Sequence, residues 1–237
     1  MQEPVKTGIK GLDDILNGGI PKGHSVLVAG SSGTGKTILA LQFLFEGAKK
    51  NEPGVYIALS EPKDKVIRNM SGFTFFDKKL IDSGKVNIID IVQDTRLKGI
   101  KRQNVDAHIS LIKTLIEDSK AKRVVIDSLT AIGENLGGGP AVRDFILELG
   151  LQLEYLECTT LFISEIPPQK FVYSVFGVEE FIADGIILLS EFERKGELIR
   201  ALQVIKMRGV DHSRTKYVMK IMKEGVELIP LIKAGIT

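Results

Sequence analysis

The sequence has no tryptophan and only one cysteine, Cys158, among its 237 residues. A single cysteine excludes an intrachain disulfide, and the apolar residues that follow it, 161–163, indicate a buried thiol. The first residues contain no apolar core of the signal-peptide kind, and no stretch reaches the ~18 uninterrupted apolar residues of a membrane span. We therefore expect a cytoplasmic protein that has no membrane association.

An excess of charge of one sign is also missing, since 32 lysines and arginines stand against 30 aspartates and glutamates. The net charge of +2 gives no overall signal for nucleic acid, so such a site would have to be a local patch. The hydrophobic fraction of 43% excludes a disordered chain. Because no repeat or linker divides the sequence, we predict a single domain over residues 1–237.

What the chain does contain is an octapeptide that fits the phosphate-loop pattern G-x-x-x-x-G-K-[ST] at every fixed position. Its residues are Gly30, Ser31, Ser32, Gly33, Thr34, Gly35, Lys36 and Thr37. Apolar residues before and after it predict a strand over 25–29 and a helix from 38 onward. In such a loop, backbone N–H groups and the helix N-terminus hold phosphates, Lys36 meets the outer phosphates and Thr37 offers its hydroxyl to Mg²⁺. The alternative is a chance glycine and serine turn.

Short β-branched runs alternate with longer amphipathic segments, which is typical of a mostly parallel, twisted α/β sheet flanked by helices. The predicted strands are 25–29, 55–59, 86–91, 123–127, 160–164 and 185–189. Apolar residues at three- and four-residue spacing predict a helix over 141–157, with its stripe in the core. Three closely spaced runs, 198–206, 217–221 and 226–229, predict C-terminal antiparallel hairpins at the sheet edge.

Two acidic residues follow predicted strands. Asp127 ends the run 123–127, where a nucleotide site needs a carboxylate for the water shell of its metal. Glu61 follows the run 55–59, where a carboxylate can orient the attacking water. The alternatives are that Asp127 forms a turn or a helix cap, and that Glu61 is an acidic residue favoured beside a helix N-terminus.

With these motifs in place, nearly the whole chain resembles a single-domain member of the KaiC-like branch of the RecA superfamily of ATPases. The matching stretches are residues 7–21, 126–130, 176–185 and 206–212, in addition to the phosphate loop. The resemblance implies a RecA-like P-loop NTPase fold with ATP and Mg²⁺ as ligands. It also implies a homo-oligomeric ring, usually a hexamer, with ATP bound between subunits.

The same resemblance implies roles for four further residues. Lys206 and Arg208 would reach the γ-phosphate of the neighbouring subunit, and His212 would lie further along that nucleotide. Ser164, at the end of the predicted strand 160–164, would sense the γ-phosphate. Without the resemblance, Lys206 and Arg208 are edge charges in solvent, His212 is an exposed turn residue and Ser164 ends a strand in a turn.

The sequence departs from the family pattern at two places. Where the family commonly has two adjacent glutamates, this chain has Ser60 and Glu61. A hydroxyl with an ordinary pKa cannot act as general base near neutral pH, so we expect ATP binding with slow hydrolysis. The circadian-clock member phosphorylates an adjacent Ser-Thr pair, but this chain has Glu180 and Phe181 there, so we expect no such autophosphorylation.

Nucleic acid is the open alternative, because recombinases and replicative helicases share this core. Segment 133–140 is predicted to be a glycine-rich flexible loop, and 96–102 is the densest basic cluster. The segment 167–176 carries side chains that are able to stack on bases, namely Lys170, Phe171, Tyr173 and Phe176. The other interpretations are a solvated loop for 96–102, and a subunit interface or a loop packed on the core for 167–176.

Taken together, the residues predict an ATP-binding, slowly hydrolysing ATPase that assembles through its nucleotide sites. Two alternatives remain at this point. One is a DNA-associated paralogue of the RadA-like recombinases, and the other is a nucleotide-gated scaffold or signalling module with negligible turnover. Salt-sensitive binding to single-stranded DNA would favour the first, and ATP-dependent assembly without turnover would favour the second.

Overall fold

The computed structural model describes residues 3–91, 105–136, 140–168 and 172–231. The strands are β1 (Ser25–Gly30), β2 (Gly54–Ala58), β3 (Val86–Asp90), β4 (Arg123–Asp127), β5 (Thr159–Glu165), β6 (Gly185–Arg194), β7 (Glu197–Met207), β8 (Tyr217–Met222) and β9 (Gly225–Pro230). The helices are α1 (Leu12–Ile15), α2 (Lys36–Lys49), α3 (Lys63–Met70), α4 (Lys78–Asp82), α5 (Val105–Asp118), α6 (Leu129–Leu136), α7 (Pro140–Tyr155) and α8 (Glu179–Ile182). None of the helices in these ranges is both long and apolar enough to cross a membrane.

All nine of these strands belong to one sheet, in the order β3-β2-β4-β5-β1-β6-β7-β8-β9. Strands β1 to β6 run parallel to one another, whereas β7, β8 and β9 continue the sheet as antiparallel hairpins. The turn between β6 and β7 is formed by Lys195 and Gly196, both with positive φ, as a two-residue hairpin turn requires. The predicted fold class is therefore confirmed, and β6 is longer than predicted because β7 pairs with it as far as Arg194.

The two faces of the sheet are covered by different helices. Helix α2 packs on one face, in a core cluster with alternate strand residues such as Val28 and Ile163. Helices α5 and α7 pack on the other face, with Leu27 and Phe162. Because neighbouring residues of a strand point to opposite faces, this division tells on which side each strand-terminal side chain lies.

Helix α7 confirms the predicted helix and its core stripe, since its buried side chains include Val142, Phe145, Ile146, Leu149 and Leu153. The opposite side of the same helix carries a second apolar row that the sequence analysis did not single out. Its members are Leu147, Leu151 and Tyr155, which are 42%, 60% and 78% exposed. We call these three residues the outer α7 row.

The glycine-rich loop predicted over 133–140 is wrong for its first half, because residues 133–136 are the end of helix α6. Gly133 is needed there for close packing, since a Cβ would lie 1.9 Å from Cζ of Phe176. Phe176 and Tyr173 are half-buried against the core cluster of α5 and α7, as the alternative interpretation of the loop 167–176 holds. Residues 137–139, Lys170, Phe171 and the basic cluster 96–102 lie outside the described residues.

Candidate functional site

The carboxyl ends of the parallel strands bring the sequence-predicted phosphate and metal residues together. Gly30, at the end of β1, lies in register with Glu165 at the end of β5. Ala58, at the end of β2, lies in register with Asp127 at the end of β4. Ligands of open α/β sheets bind at such an edge, where strands pass into loops and helix N-termini. The phosphate loop and Asp127 therefore share one edge of the sheet.

The phosphate loop has the backbone shape that its glycines allow. Gly33 and Gly35 have φ values of 84° and 99°, in the left-handed region. At Gly35 a Cβ would also lie 2.8 Å from Cδ1 of Ile221 on β8, so the hairpin strand packs against the loop. The hydroxyl of Thr34 donates to the carbonyl of Ser31 at 2.8 Å and closes the turn. Helix α2 then begins at Lys36, with its free N–H groups at the loop.

The Lys36 ammonium group is buried within this loop. Its Nζ donates to the carbonyl oxygens of Gly30 and Ser31, both at 2.8 Å. Burial lowers the pKa of Lys36, whereas the negative charges of Glu165 and Asp127 raise it. The cation is thus held by the carbonyl oxygens of the loop, beside the positive end of α2, and a phosphate group can take the place of these carbonyls.

Asp127 is the centre of a small hydrogen-bonded group. Its Oδ2 accepts a hydrogen bond from the Thr37 hydroxyl at 2.9 Å and another from the Tyr56 hydroxyl at 2.5 Å. Burial raises the pKa of Asp127, while these two hydrogen bonds and the charge of Lys36 lower it. Burial, followed by the charge of Asp127, raises the pKa of Tyr56 well above its ordinary value, which keeps the phenol protonated as a donor.

The donor set fits Mg²⁺ better than a metal held by protein ligands alone. No group of three or more histidine, cysteine, aspartate or glutamate side chains able to hold a metal exists in the described part of the chain. Mg²⁺ at nucleotide sites usually keeps several waters and takes only one or two protein oxygens besides phosphate. The Thr37 hydroxyl and the Asp127 carboxylate supply such a pair.

Three further strand-end residues differ in how they face this edge. Ser60 is exposed, and Glu61 forms an ion pair with Lys65 in which Oε1 and Nζ are 2.8 Å apart. Ser164 is completely buried, and its Oγ has no hydrogen-bond partner among the described residues. Strand alternation puts Ser164 with Phe162 on the face of α5 and α7, so the serine predicted to sense the γ-phosphate points away from α2.

The sequence analysis missed two residues of this edge, Glu165 and Tyr56. Glu165 is exposed, lies in register with Gly30 and shares its sheet face with Ile163 and α2. Its backbone N–H donates to the Thr130 hydroxyl at 3.0 Å, which fixes the end of β5. Strand alternation could have found Glu165, whereas nothing in the apolar run of β2 distinguishes Tyr56 from an ordinary core aromatic.

Lys206 and Arg208 lie at the opposite side of the sheet, where the parallel strands β1 and β6 begin. Met207, at the end of β7, is in register with Gly185, which is in register with Val26 near the start of β1. The rest of β1 up to Gly30 then spans about 13 Å, at the rise per residue of a strand. Neither cationic group can therefore reach its own phosphate loop without rebuilding the sheet.

Both cationic side chains are held by backbone and side-chain oxygens around α8. Lys206 Nζ donates to the carbonyls of Ala183 at 2.7 Å and Glu180 at 3.3 Å. Arg208 Nη1 donates to Asp184 Oδ1 at 3.0 Å, and Asp184 also accepts from the backbone N–H of Ser25. Burial and the neighbouring charge of Arg208 lower the pKa of Lys206.

The surroundings of Arg208 are concave and partly apolar. A cavity of about 600 Å³ is lined by Arg208, Leu147, Leu151 and Phe181, together with residues 22–25 before and at the start of β1. Phe181 is 71% exposed, so this edge combines a cation with uncovered apolar side chains. His212 is half-buried in the segment between β7 and β8, with Nδ1 3.3 Å from the carbonyl oxygen of Ser213.

The class of protein follows from this geometry. A phosphate loop between β1 and α2, a carboxylate at the end of β4 and a parallel sheet extended by hairpins define a RecA-like P-loop nucleotide-binding protein. The family model described as "ATPase: KaiC" matches residues 5–233. The chain therefore belongs to the KaiC ATPase family, as the motifs predicted.

Three similar proteins show how the chain compares with known ones. The circadian clock oscillator protein KaiC of Nostoc sp. is 36% identical over 97% of this chain, but the chain spans only 44% of that protein's length. The UPF0273 protein PH0284 of Pyrococcus horikoshii is 38% identical, over 99% of this chain and 98% of its own. The crystal structure of the KaiC-like protein PH0186 from Pyrococcus horikoshii superposes with a TM-score of 0.84 at 36% identity, covering 96% of this chain and 99% of that one.

Proposed function

We propose that this chain binds Mg-ATP at the phosphate loop and hydrolyses it slowly to ADP and phosphate. Membership of the KaiC ATPase family supports an ATPase at the level of the family. The observation that carries the proposal for this chain is the arrangement of Lys36, Thr37 and Asp127, in which Thr37 Oγ1 and Asp127 Oδ2 are 2.9 Å apart. These are the groups that phosphoryl transfer requires around the outer phosphates.

The roles of these groups follow from their atoms. Backbone N–H groups of the loop and of α2 bind the phosphates, and Lys36 exchanges its two carbonyl partners for phosphate oxygens. Thr37 would hold Mg²⁺ directly and Asp127 would hold it through its water shell. The bound metal would supply positive charge against the negative charge of the outer phosphates.

The oxygen of the attacking water forms a bond to the γ-phosphorus while the bond from that phosphorus to the β,γ-bridging oxygen breaks. A carboxylate is needed to accept the proton that the water loses. We assign this role to Glu61, which must first leave its ion pair with Lys65. That requirement, together with the missing carboxylate at Ser60, accounts for slow turnover. Glu165 is the competing group, because it is exposed and lies beside Gly30 on the face of α2.

The second part of the proposal is a homo-oligomeric ring, a hexamer as the family resemblance implies, in which each nucleotide lies between two chains. Its support is the position of Lys206 and Arg208 at the sheet edge opposite to their own phosphate loop. A guanidinium supplied by a neighbouring chain stabilises charge in the transition state and makes hydrolysis depend on assembly. In this arrangement His212 lies further along the nucleotide of the neighbour.

The test of ATP hydrolysis is steady-state release of phosphate from Mg-ATP by the purified chain. Lys36→Ala serves as the control for contaminating ATPases, because it removes the cation of the phosphate loop. Turnover that is lost in the control is the expected result. A chain that binds no ATP in the presence of Mg²⁺ would contradict the whole proposal.

A second candidate function is a nucleotide-gated scaffold with negligible turnover. Two observations favour it: Ser60 has no carboxylate, and Glu61 forms an ion pair with Lys65. ATP-dependent assembly with phosphate release no faster than in Lys36→Ala would select this function over the enzyme.

The chain also needs to be tested with single-stranded DNA at several salt concentrations, because a steep loss of binding with salt is the signature of phosphate contacts.

A further inference from the structure

Tyr56 places a hydroxyl at the metal-binding edge from within the core. Its ring is 2% exposed in the middle of β2, on the same sheet face as Asp127 and α2. Ala58, two residues further along β2, is in register with Asp127 on β4. This offset lets the phenol reach diagonally to the neighbouring strand, where its hydroxyl donates to Asp127 Oδ2 at 2.5 Å.

Two donors converge on one oxygen of Asp127. Thr37 and Tyr56 both donate to Oδ2, so Oδ1 is the oxygen left for a water of the metal. The two donors differ in what they can do next. The Thr37 hydroxyl would bind Mg²⁺ through an oxygen lone pair while its O–H donates to Asp127, so it serves the metal as well as the carboxylate.

Tyr56 has no competing task and little freedom. A buried aromatic ring has only two side-chain torsions, and the packing of α2 against β2 fixes both of them. Its hydroxyl is therefore the donor to Oδ2 that serves the carboxylate alone. Groups that orient a metal-holding carboxylate in this way typically change metal affinity by about 10- to 100-fold when they are removed.

From this geometry we infer that Tyr56 is a positioning residue of the Mg²⁺ site, whose hydroxyl fixes the Asp127 carboxylate with Oδ1 toward the water shell of the metal. The inference rests on the proposed function, since it concerns the metal that accompanies ATP. It predicts that the hydroxyl determines how much Mg²⁺ the chain needs in order to bind ATP in its metal-bound form.

The variant Tyr56→Phe tests the inference, because it removes one oxygen and keeps the buried ring. Tyr217→Phe is the matched control, since its hydroxyl donates to Ser213 Oγ at 3.1 Å, away from the phosphate loop. The probes are Mg²⁺ itself, titrated into chain with a non-hydrolysable fluorescent ATP analogue, and Mn²⁺ binding followed by electron paramagnetic resonance. We expect Tyr56→Phe to raise the half-saturating concentration of either metal about 10-fold, and Tyr217→Phe to leave it unchanged.

Two results separate the inference from its premise. If the unaltered chain binds the analogue with Mg²⁺ and Tyr56→Phe shows the same metal dependence, the inference is wrong while the proposed function stands. A variant that melts at a lower temperature but keeps its metal dependence leads to the same conclusion, with a purely structural hydroxyl. If the unaltered chain shows no metal-dependent binding at all, the proposed function itself fails.

A second measurement keeps the inference testable if the Tyr56→Phe chain does not fold. The chain with 3-fluorotyrosine at Tyr56, and with Tyr155, Tyr173 and Tyr217 replaced by phenylalanine, has a single fluorine resonance. We expect this resonance to shift when Mg²⁺ is added in the presence of ATP. A resonance that does not move while ATP binding becomes metal-dependent would overturn the inference.

Discussion

The parallel strands end at one side of the sheet, the carboxyl edge, and begin at the opposite side, the amino edge. These two edges hold their charged groups in different ways. At the carboxyl edge Lys36 and Asp127 are buried, and both are hydrogen-bonded to groups of the phosphate loop. At the amino edge Arg208 is exposed beside an apolar cavity, and it is tied to Asp184 rather than to any phosphate site of its own. In our proposal the carboxyl edge is a preorganised nucleotide site, and the amino edge is a contact that a second chain completes.

The largest expected effect is on turnover, when a cationic group is removed from the amino edge. In our account Arg208→Ala lowers turnover about 1000-fold and leaves ATP affinity nearly unchanged, because the guanidinium acts on the transition state of a neighbouring site. Phosphate release and analogue binding, measured on the same preparation, check this prediction. Arg68→Ala, at an exposed position of α3, is the control for the loss of one positive charge. An Arg208→Ala chain with normal turnover would remove the amino edge from the chemistry.

The next largest effect concerns the carboxyl edge. It decides whether Glu61 or Glu165 accepts the proton of the attacking water. Glu61→Gln should lower turnover about 100-fold with ATP affinity nearly unchanged, the usual size for loss of a general base. Glu165→Gln is the matched comparison, since it makes the same chemical change at the end of β5. Should Glu165→Gln alone abolish turnover, the role passes from Glu61 to Glu165.

A smaller effect tests whether the apolar side chains beside Arg208 contact another chain. Leu151→Asp should weaken ATP-dependent assembly about 10-fold, because an interface core excludes charge. It should leave the unfolding temperature almost unchanged, since Leu151 is 60% exposed in the single chain. Arg143→Asp, also exposed on α7, controls for the added acid, and size-exclusion chromatography with light scattering measures the assembly. Equal assembly in both variants would exclude the outer α7 row from the interface.

The smallest effect concerns the interior beneath the amino edge. Cys158 precedes β5, and burial raises the pKa of its thiol from 9.0 to about 11. The folded chain therefore keeps the proton at a pH where the unfolded chain loses it, so this thiol stabilises the fold below pH 9 and loses that effect as the pH rises toward 11. At pH 8 we expect iodoacetamide to label the unfolded chain readily and the folded chain hardly at all. Fast labelling of the folded chain would mean that the Cys158 thiol is accessible from the amino edge and is not buried.

The sequence predicted most of the architecture and the centre of the site. The strand 123–127 has the bounds that the structure gives, because a run of buried β-branched residues ending in aspartate leaves little choice of register. The phosphate-loop pattern was equally clear, since it fits every fixed position and lies between β1 and α2. These features depend on residues that are adjacent in the chain.

What the sequence could not predict depends on which side of an element a residue faces. Ser164 and Glu165 are neighbours, but a shift of one residue moves a side chain to the other face of the sheet. The serine was chosen, and the structure puts the glutamate on the side of α2. Tyr56 was missed because its partner, Asp127, comes from another part of the chain.

The measurement that tests the difference between the two edges most directly is turnover by a mixture of two inactive chains. Arg208→Ala keeps an intact phosphate loop, and Lys36→Ala keeps an intact amino edge, so mixed assemblies contain interfaces where both halves are whole. For random mixing of equal amounts in a head-to-tail ring, our account predicts about a quarter of the activity of the unaltered chain. Phosphate release equal to the sum of the two separate variants, from chains shown to co-assemble, would contradict it.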